Sequence, residues 1–72
     1  MKVFDAKEFG SVIKNRRKEL GYTQKYLSDF TGFSTSFISE LENGKPTIEL
    51  EKALRLANML GMDLLMEVRG KK

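Results

Sequence analysis

The sequence contains no cysteine, no histidine and no tryptophan, and only one proline. Without cysteine there is neither a disulfide nor a thiol nucleophile, and without cysteine or histidine the common zinc ligand sets are missing. Imidazole acid–base chemistry is excluded with them. No motif of paired carboxylates or phosphate-cradling glycines takes their place, so the chain reads as a non-enzyme with no metal site and no cofactor. Long apolar runs are lacking too. None approaches the ~18 residues of a membrane span. The amino-terminal stretch, with Asp5 and Glu8 among its apolar residues, does not have a signal peptide's hydrophobic core. The expectation is a cytoplasmic chain with no membrane partner.

What is present is small. Seventy-two residues make one domain, burying only about 60% of the unfolded surface. A core of that size supplies ~3–5 kcal/mol, and with disulfides and metals excluded, a second copy of the chain is the remaining source of stability. Thirteen Lys+Arg against ten Asp+Glu give a net charge of +3, which permits a polyanionic partner without requiring one. The charge is regional: +4 over residues 1–25, −3 over residues 26–44 and +2 over residues 45–72.

Hydrophobic spacing predicts four helices. Phe9, Val12, Ile13 and Leu20 share one helix face, and Asp5 with Glu8 forms a capping box that Phe4 and Phe9 complete as a hydrophobic staple. Helix 1 is expected from Ala6 to Leu20, stopped by Gly21. Thr23 caps a second helix, Gln24 to Thr31, ended by Gly32; Ser34 caps a third, Thr35 to Asn43, ended by Gly44. Lys45 and Pro46 break the chain. Thr47 then caps a fourth helix, whose buried stripe is read as Ile48, Leu50, Ala53, Leu54, Ala57 and Leu60. From Met62 the period becomes two, with Met62, Leu64, Met66 and Val68 on one side, the pattern of a half-buried strand. Such a strand needs a ladder partner, either residues 2–4 or, as favoured here, the same strand of a second protomer. The division expected is 1–61 for the helical domain and 62–72 for a dimerisation strand and tail.

The two short helices around Gly32 fit a helix-turn-helix unit, with Leu27, Ile38 and Leu41 as the wedge between them and Ser28 small where they approach. On a helical wheel Ser36, Ser39 and Glu40 point away from Ile38 and Leu41, with Thr35 at the amino-terminal end. These side chains can reach base edges in a major groove. The helix carries no Lys or Arg, so readout through shape or water is anticipated. The amino ends of helices 2 and 3 offer free N–H groups to phosphates, which brings in Thr23, Gln24, Lys25 and Ser34. Phe30, Phe33 and Phe37 are expected in the core or an interface, and Met59, Met62 and Met66 at the junction of helix 4 with the strand.

Arg17, Gly21-Tyr22-Thr23-Gln24, Leu27, Gly32, Ile38 and Leu41-Glu42-Asn43-Gly44-Lys45 stand where equivalents occur in the Cro/phage-repressor (XRE) family of helix-turn-helix proteins, which residues 6–61 resemble. The resemblance implies an all-α fold of four to five helices and sequence-specific DNA binding as a homodimer on an inverted-repeat operator. It assigns base reading to Thr35, Ser36 and Glu40, and phosphate binding to Gln24, Asn43 and Lys45. It also implies a structural ion pair between Arg17 and Glu42, with Arg17 free to touch a phosphate as well. Gly44-Lys45-Pro46-Thr47, the Leu50 to Leu60 helix and the strand-like Gly61 to Arg69 look like a HipB-type antitoxin. That narrower likeness implies autoregulatory repression at the nucleoid, dimerisation through Met62, Leu64, Met66 and Val68, and a HipA-like kinase toxin as partner. The alternatives are a stand-alone phage-type or restriction-controller repressor, or a protein-interaction module that keeps the scaffold without using DNA.

Overall fold

A computed structural model describes residues 2–70. Its four helices are α1 (Ala6–Glu19), α2 (Gln24–Thr31), α3 (Thr35–Glu42) and α4 (Leu50–Met59). Asp5 adopts extended backbone and its Oδ1 accepts the Glu8 N–H at 2.8 Å, which starts α1. The return bond of the capping box goes one residue further out than anticipated: Glu8 Oε1 accepts from the Phe4 N–H at 2.6 Å. The staple does not close. Phe4 is 70% exposed, while Phe9 packs against the core by itself.

The two caps expected for α2 and α3 form. Thr23 Oγ1 accepts the Tyr26 N–H and Ser34 Oγ the Phe37 N–H, each at 3.0 Å. Gly32, at φ 84°, turns the chain between them, a left-handed conformation that a side chain would strain. The turn is pinned by Ser28 Oγ, which donates to the Phe33 carbonyl at 2.5 Å.

Helix α4 departs from expectation at its start. Ile48 N–H donates to the Lys45 carbonyl at 3.2 Å, so Lys45-Pro46-Thr47-Ile48 closes a turn with proline at its favoured second position. Thr47 is spent in that turn. The cap position falls to Glu49, which makes no side-chain capping bond. The buried residues of α4 are Ala53, Leu56 and Ala57, with Leu60 just beyond. Leu50, placed in the stripe by its spacing, sits in the first turn and is 70% exposed, and Leu54 and Ile48 are only half-buried.

The core comprises Ile13, Leu27, Ile38, Leu41, Ala53, Leu56, Ala57 and Leu60. The wedge of Leu27, Ile38 and Leu41 is thus buried as expected. Of the three phenylalanines assigned to a core or interface, Phe33 and Phe37 pack against the core with rings 5.1 Å apart. Phe30 does not: it is 54% exposed and stacks on Tyr26.

Two backbone approaches fix α1 against the carboxyl end of α3. A Cβ at Gly10 would lie 2.2 Å from the Leu41 carbonyl oxygen, and one at Gly44 would lie 2.6 Å from the Cα of Lys7. Arg16 reaches the other end of the bundle, where its Nε donates to the Leu60 carbonyl at 2.9 Å and satisfies an end of α4.

Beyond Gly61 no β-ladder forms among the described residues. The strand expected over residues 62–68 is therefore absent from the single chain, and residues 2–4 do not pair with it. The physical reason is that a lone strand has no acceptors for its N–H groups. Met62 packs against the core, whereas Leu64, Met66 and Val68 are 47%, 99% and 76% exposed. Within one protomer they form no buried face. Residues 71 and 72, the end of the expected tail, lie outside the described residues.

Candidate nucleic-acid interface

Ile38, Leu41 and Glu42 bury one side of α3, which turns Thr35, Ser36 and Glu40 to solvent and leaves Ser39 half-buried at the edge. Together with Gln24 from the start of α2, these four side chains line a shallow, open depression. The sequence-derived base-reading set is therefore one contiguous surface. All its members but Glu40 are neutral hydrogen-bonding groups.

The amino ends of α2 and α3 open beside that surface. Thr23 and Ser34 each satisfy one N–H, which leaves the N–H groups of Gln24, Lys25, Thr35 and Ser36 without helical partners and at the positive ends of two helix dipoles. Lys25 is exposed and paired with Asp29 across one turn at 3.5 Å. At the far end of α3, Asn43 is exposed, with its Nδ2 3.4 Å from Ser39 Oγ. Lys45 Nζ lies 3.2 Å from Glu40 Oε1.

Behind the surface sits a buried charge pair. Arg17 Nε and Nη2 donate to the two Glu42 carboxylate oxygens at 2.7 and 3.0 Å, and Nη1 donates to the Tyr22 carbonyl at 2.8 Å. Gln24 Nε2 adds a third donor to Glu42 at 3.1 Å. This bidentate geometry is the favourable one for a buried guanidinium–carboxylate pair. Among the described residues no buried side-chain polar atom is left without a partner.

The pair holds α1 to α3, with Arg17 7% exposed and each of its guanidinium nitrogens making one bond inside the chain. It also gives Gln24 a second task, since its amide bridges the start of α2 to the end of α3. Sequence reasoning missed the tight approach at Gly10, although an isolated glycine inside a helical pattern is itself a sign of close packing. It also missed the Arg16 cap, for which the local sequence carries no signal.

A family model described as helix-turn-helix matches residues 13–65. The chain is 31% identical over 62 residues to the ImmF control region 10 kDa protein of Bacillus phage phi105, covering 86% of this chain and 69% of that one. It is also 31% identical over 65 residues to the HTH-type transcriptional regulator y4mF of Sinorhizobium fredii, covering 90% and 86%. Archaeal relatives from Saccharolobus islandicus are 32% identical, but the chain spans only 21% of their length. Among solved structures, the HipB-O4 20mer complex superposes with a TM-score of 0.85 at 20% identity, covering 96% of this chain and 97% of that one. The HipB-O1-O2 complex gives the same TM-score over 94% and 99%. With its wedge, its left-handed turn and its outward α3 surface in place, the chain belongs to the helix-turn-helix family of DNA-binding transcriptional regulators.

Proposed function

We propose that this protein is a sequence-specific repressor that binds an inverted-repeat operator as a homodimer, with its two α3 helices in successive major grooves about 34 Å apart. The observation that carries this reading is the depression lined by Gln24, Thr35, Ser36, Ser39 and Glu40, flanked by the open amino ends of α2 and α3. Thr35, Ser36, Ser39 and Glu40 face base edges; Thr23, Gln24, Lys25, Ser34, Asn43 and Lys45 engage the backbone, which sets register without carrying sequence information. Residues 62–68 form the dimer contact. Leu64, Met66 and Val68 are exposed in one chain, and pairing this segment with its copy satisfies the backbone and covers one apolar face.

The likeness of 96% of the chain to HipB in its O4 20mer complex supports the narrower reading of an antitoxin. In that role the dimer occupies the promoter of its own cytoplasmic operon and holds a HipA-like kinase toxin on its outer surface. The phage relative favours a second reading, a stand-alone phage-type repressor. Co-purification with the product of a neighbouring kinase-like gene distinguishes the two: a stable complex supports the antitoxin, and a chain with no such neighbour returns the simpler repressor.

DNA binding itself is tested by salt. Affinity for a selected duplex is expected to fall linearly on a log–log plot with a slope of about −0.9 per neutralised phosphate. Failure to bind any genomic fragment at low salt would instead favour a protein-interaction module, the reading that the acidic stretch of residues 26–44 otherwise supports.

A further inference from the structure

We infer that Glu40 is a specificity-determining residue that selects cytosine, and that Lys45 neutralises its carboxylate until the base amino group takes the ammonium's place. The inference rests on the DNA-binding reading and deepens it by naming the base.

Helix α3 ends with Gly44 N–H donating to the Leu41 carbonyl and Lys45 N–H to the Glu40 carbonyl, both at 3.0 Å. Residues 40 and 45 are thereby held side by side. In this type of helix ending the two positions commonly make an apolar contact; here they carry an acid and a base whose charged atoms are 3.2 Å apart. Their side chains are 51% and 45% exposed, and an ion pair so open to water contributes little to folding. Its location is more telling than its strength. Glu40 is the one charged side chain lining the depression that faces DNA, and α3 carries no Lys or Arg for a bidentate guanine contact.

A bare carboxylate brought between phosphates is repelled, so Glu40 needs a donor there. Major-groove donors are the exocyclic amino groups of cytosine and adenine. Adenine places the N7 acceptor beside its amino group, against which a second carboxylate oxygen is repelled. Cytosine offers the amino group without that acceptor. On cytosine, Glu40 exchanges the Lys45 ammonium for the base N–H, and the released lysine, still tethered through its backbone bond to Glu40, turns to a neighbouring phosphate. On any other base the carboxylate keeps its lysine, and the complex loses the base contact and a backbone cation together.

The test selects duplexes from a randomised pool with the full-length wild-type, Glu40→Gln and Lys45→Met chains. Affinities for the selected site and its single-base variants are then measured by fluorescence anisotropy over a salt series, with melting curves to show that each variant folds. Wild type is expected to require cytosine at one position per half-site, losing roughly 10-fold on substitution. Glu40→Gln is expected to move that preference to adenine, whose paired acceptor and donor match an amide. Lys45→Met is expected to weaken the cytosine site more than the mismatched ones, and to flatten the salt slope by about 0.9 per half-site on the cytosine site. A folded Glu40→Gln chain that selects the same bases as wild type overturns the inference and leaves the DNA-binding reading standing. A wild-type chain that selects no duplex at low salt overturns both.

Discussion

At the scale of single residues, the molecule concentrates its tolerance for polar burial in one place. Glu42 receives two bonds from Arg17 and one from Gln24, and its side chain is 1% exposed. Removing either charged partner leaves the other buried and uncompensated, at a cost of about 3–5 kcal/mol. That is comparable to the whole stability available to a core of this size. Arg17→Met and Glu42→Ala are therefore expected to be largely unfolded at room temperature by circular dichroism; a melting midpoint within a few degrees of wild type for either would contradict the buried-pair account. Gly10→Ala tests the packing directly. A Cβ 2.2 Å from a backbone oxygen must push α1 off α3, and overpacking of this kind costs up to about 3 kcal/mol, readable as a lowered denaturant midpoint. The ion pair was legible in the sequence through the family resemblance, because both charges fall close to otherwise apolar faces. The competing claims on Gln24 and Arg17 were not, since a one-dimensional pattern shows that a polar residue lies near a surface but not which neighbour satisfies it.

Among the secondary-structure elements, local chemistry foretold most of what forms. Asp5, Thr23 and Ser34 all cap where their side-chain chemistry puts them, and the expected glycines follow α1, α2 and α3. The start of α4 differs because side-chain chemistry favours Thr47 over Glu49 as a cap, whereas the turn closed by Ile48 onto Lys45 takes up Thr47 and moves the boundary to Glu49. The two threonine and serine positions now separate the alternatives. Ser34→Ala is expected to cost about 1 kcal/mol through loss of a cap, whereas Thr47→Ala should change stability by less than about 0.5 kcal/mol, as for an exposed site with no such role. Equal losses at the two positions, measured by chemical denaturation, would restore Thr47 as a cap. The strand at 62–68 failed to appear for a different reason. Alternation in sequence specifies which faces a strand offers, but a ladder also needs a second strand, and none pairs with this segment among the described residues.

For the molecule as a whole, four short helices bury a single core whose function is to hold α3 rigidly with one face outward. Gly10, Gly44 and the Arg17–Glu42 pair all act on the carboxyl half of that helix, and Thr23, Ser28 and Ser34 on its approach. On the proposed homodimer reading, a second copy of the chain covers the exposed Leu64, Met66 and Val68. Truncation after Gly61 is expected to give a folded monomer in sedimentation with much weaker operator affinity, because the two half-sites are then bound independently; unchanged sedimentation and affinity would remove residues 62–68 from the interface. The central claim, that the outward face of α3 and the amino ends beside it meet DNA, is tested most directly by mapping. A titration of isotope-labelled full-length chain with its selected duplex, followed by amide resonances, is predicted to perturb Gln24, Lys25, Thr35, Ser36, Ser39, Glu40 and Lys45 most strongly. Perturbations confined instead to the aromatic row of Tyr26 and Phe30, or to residues beyond Gly61, would contradict it.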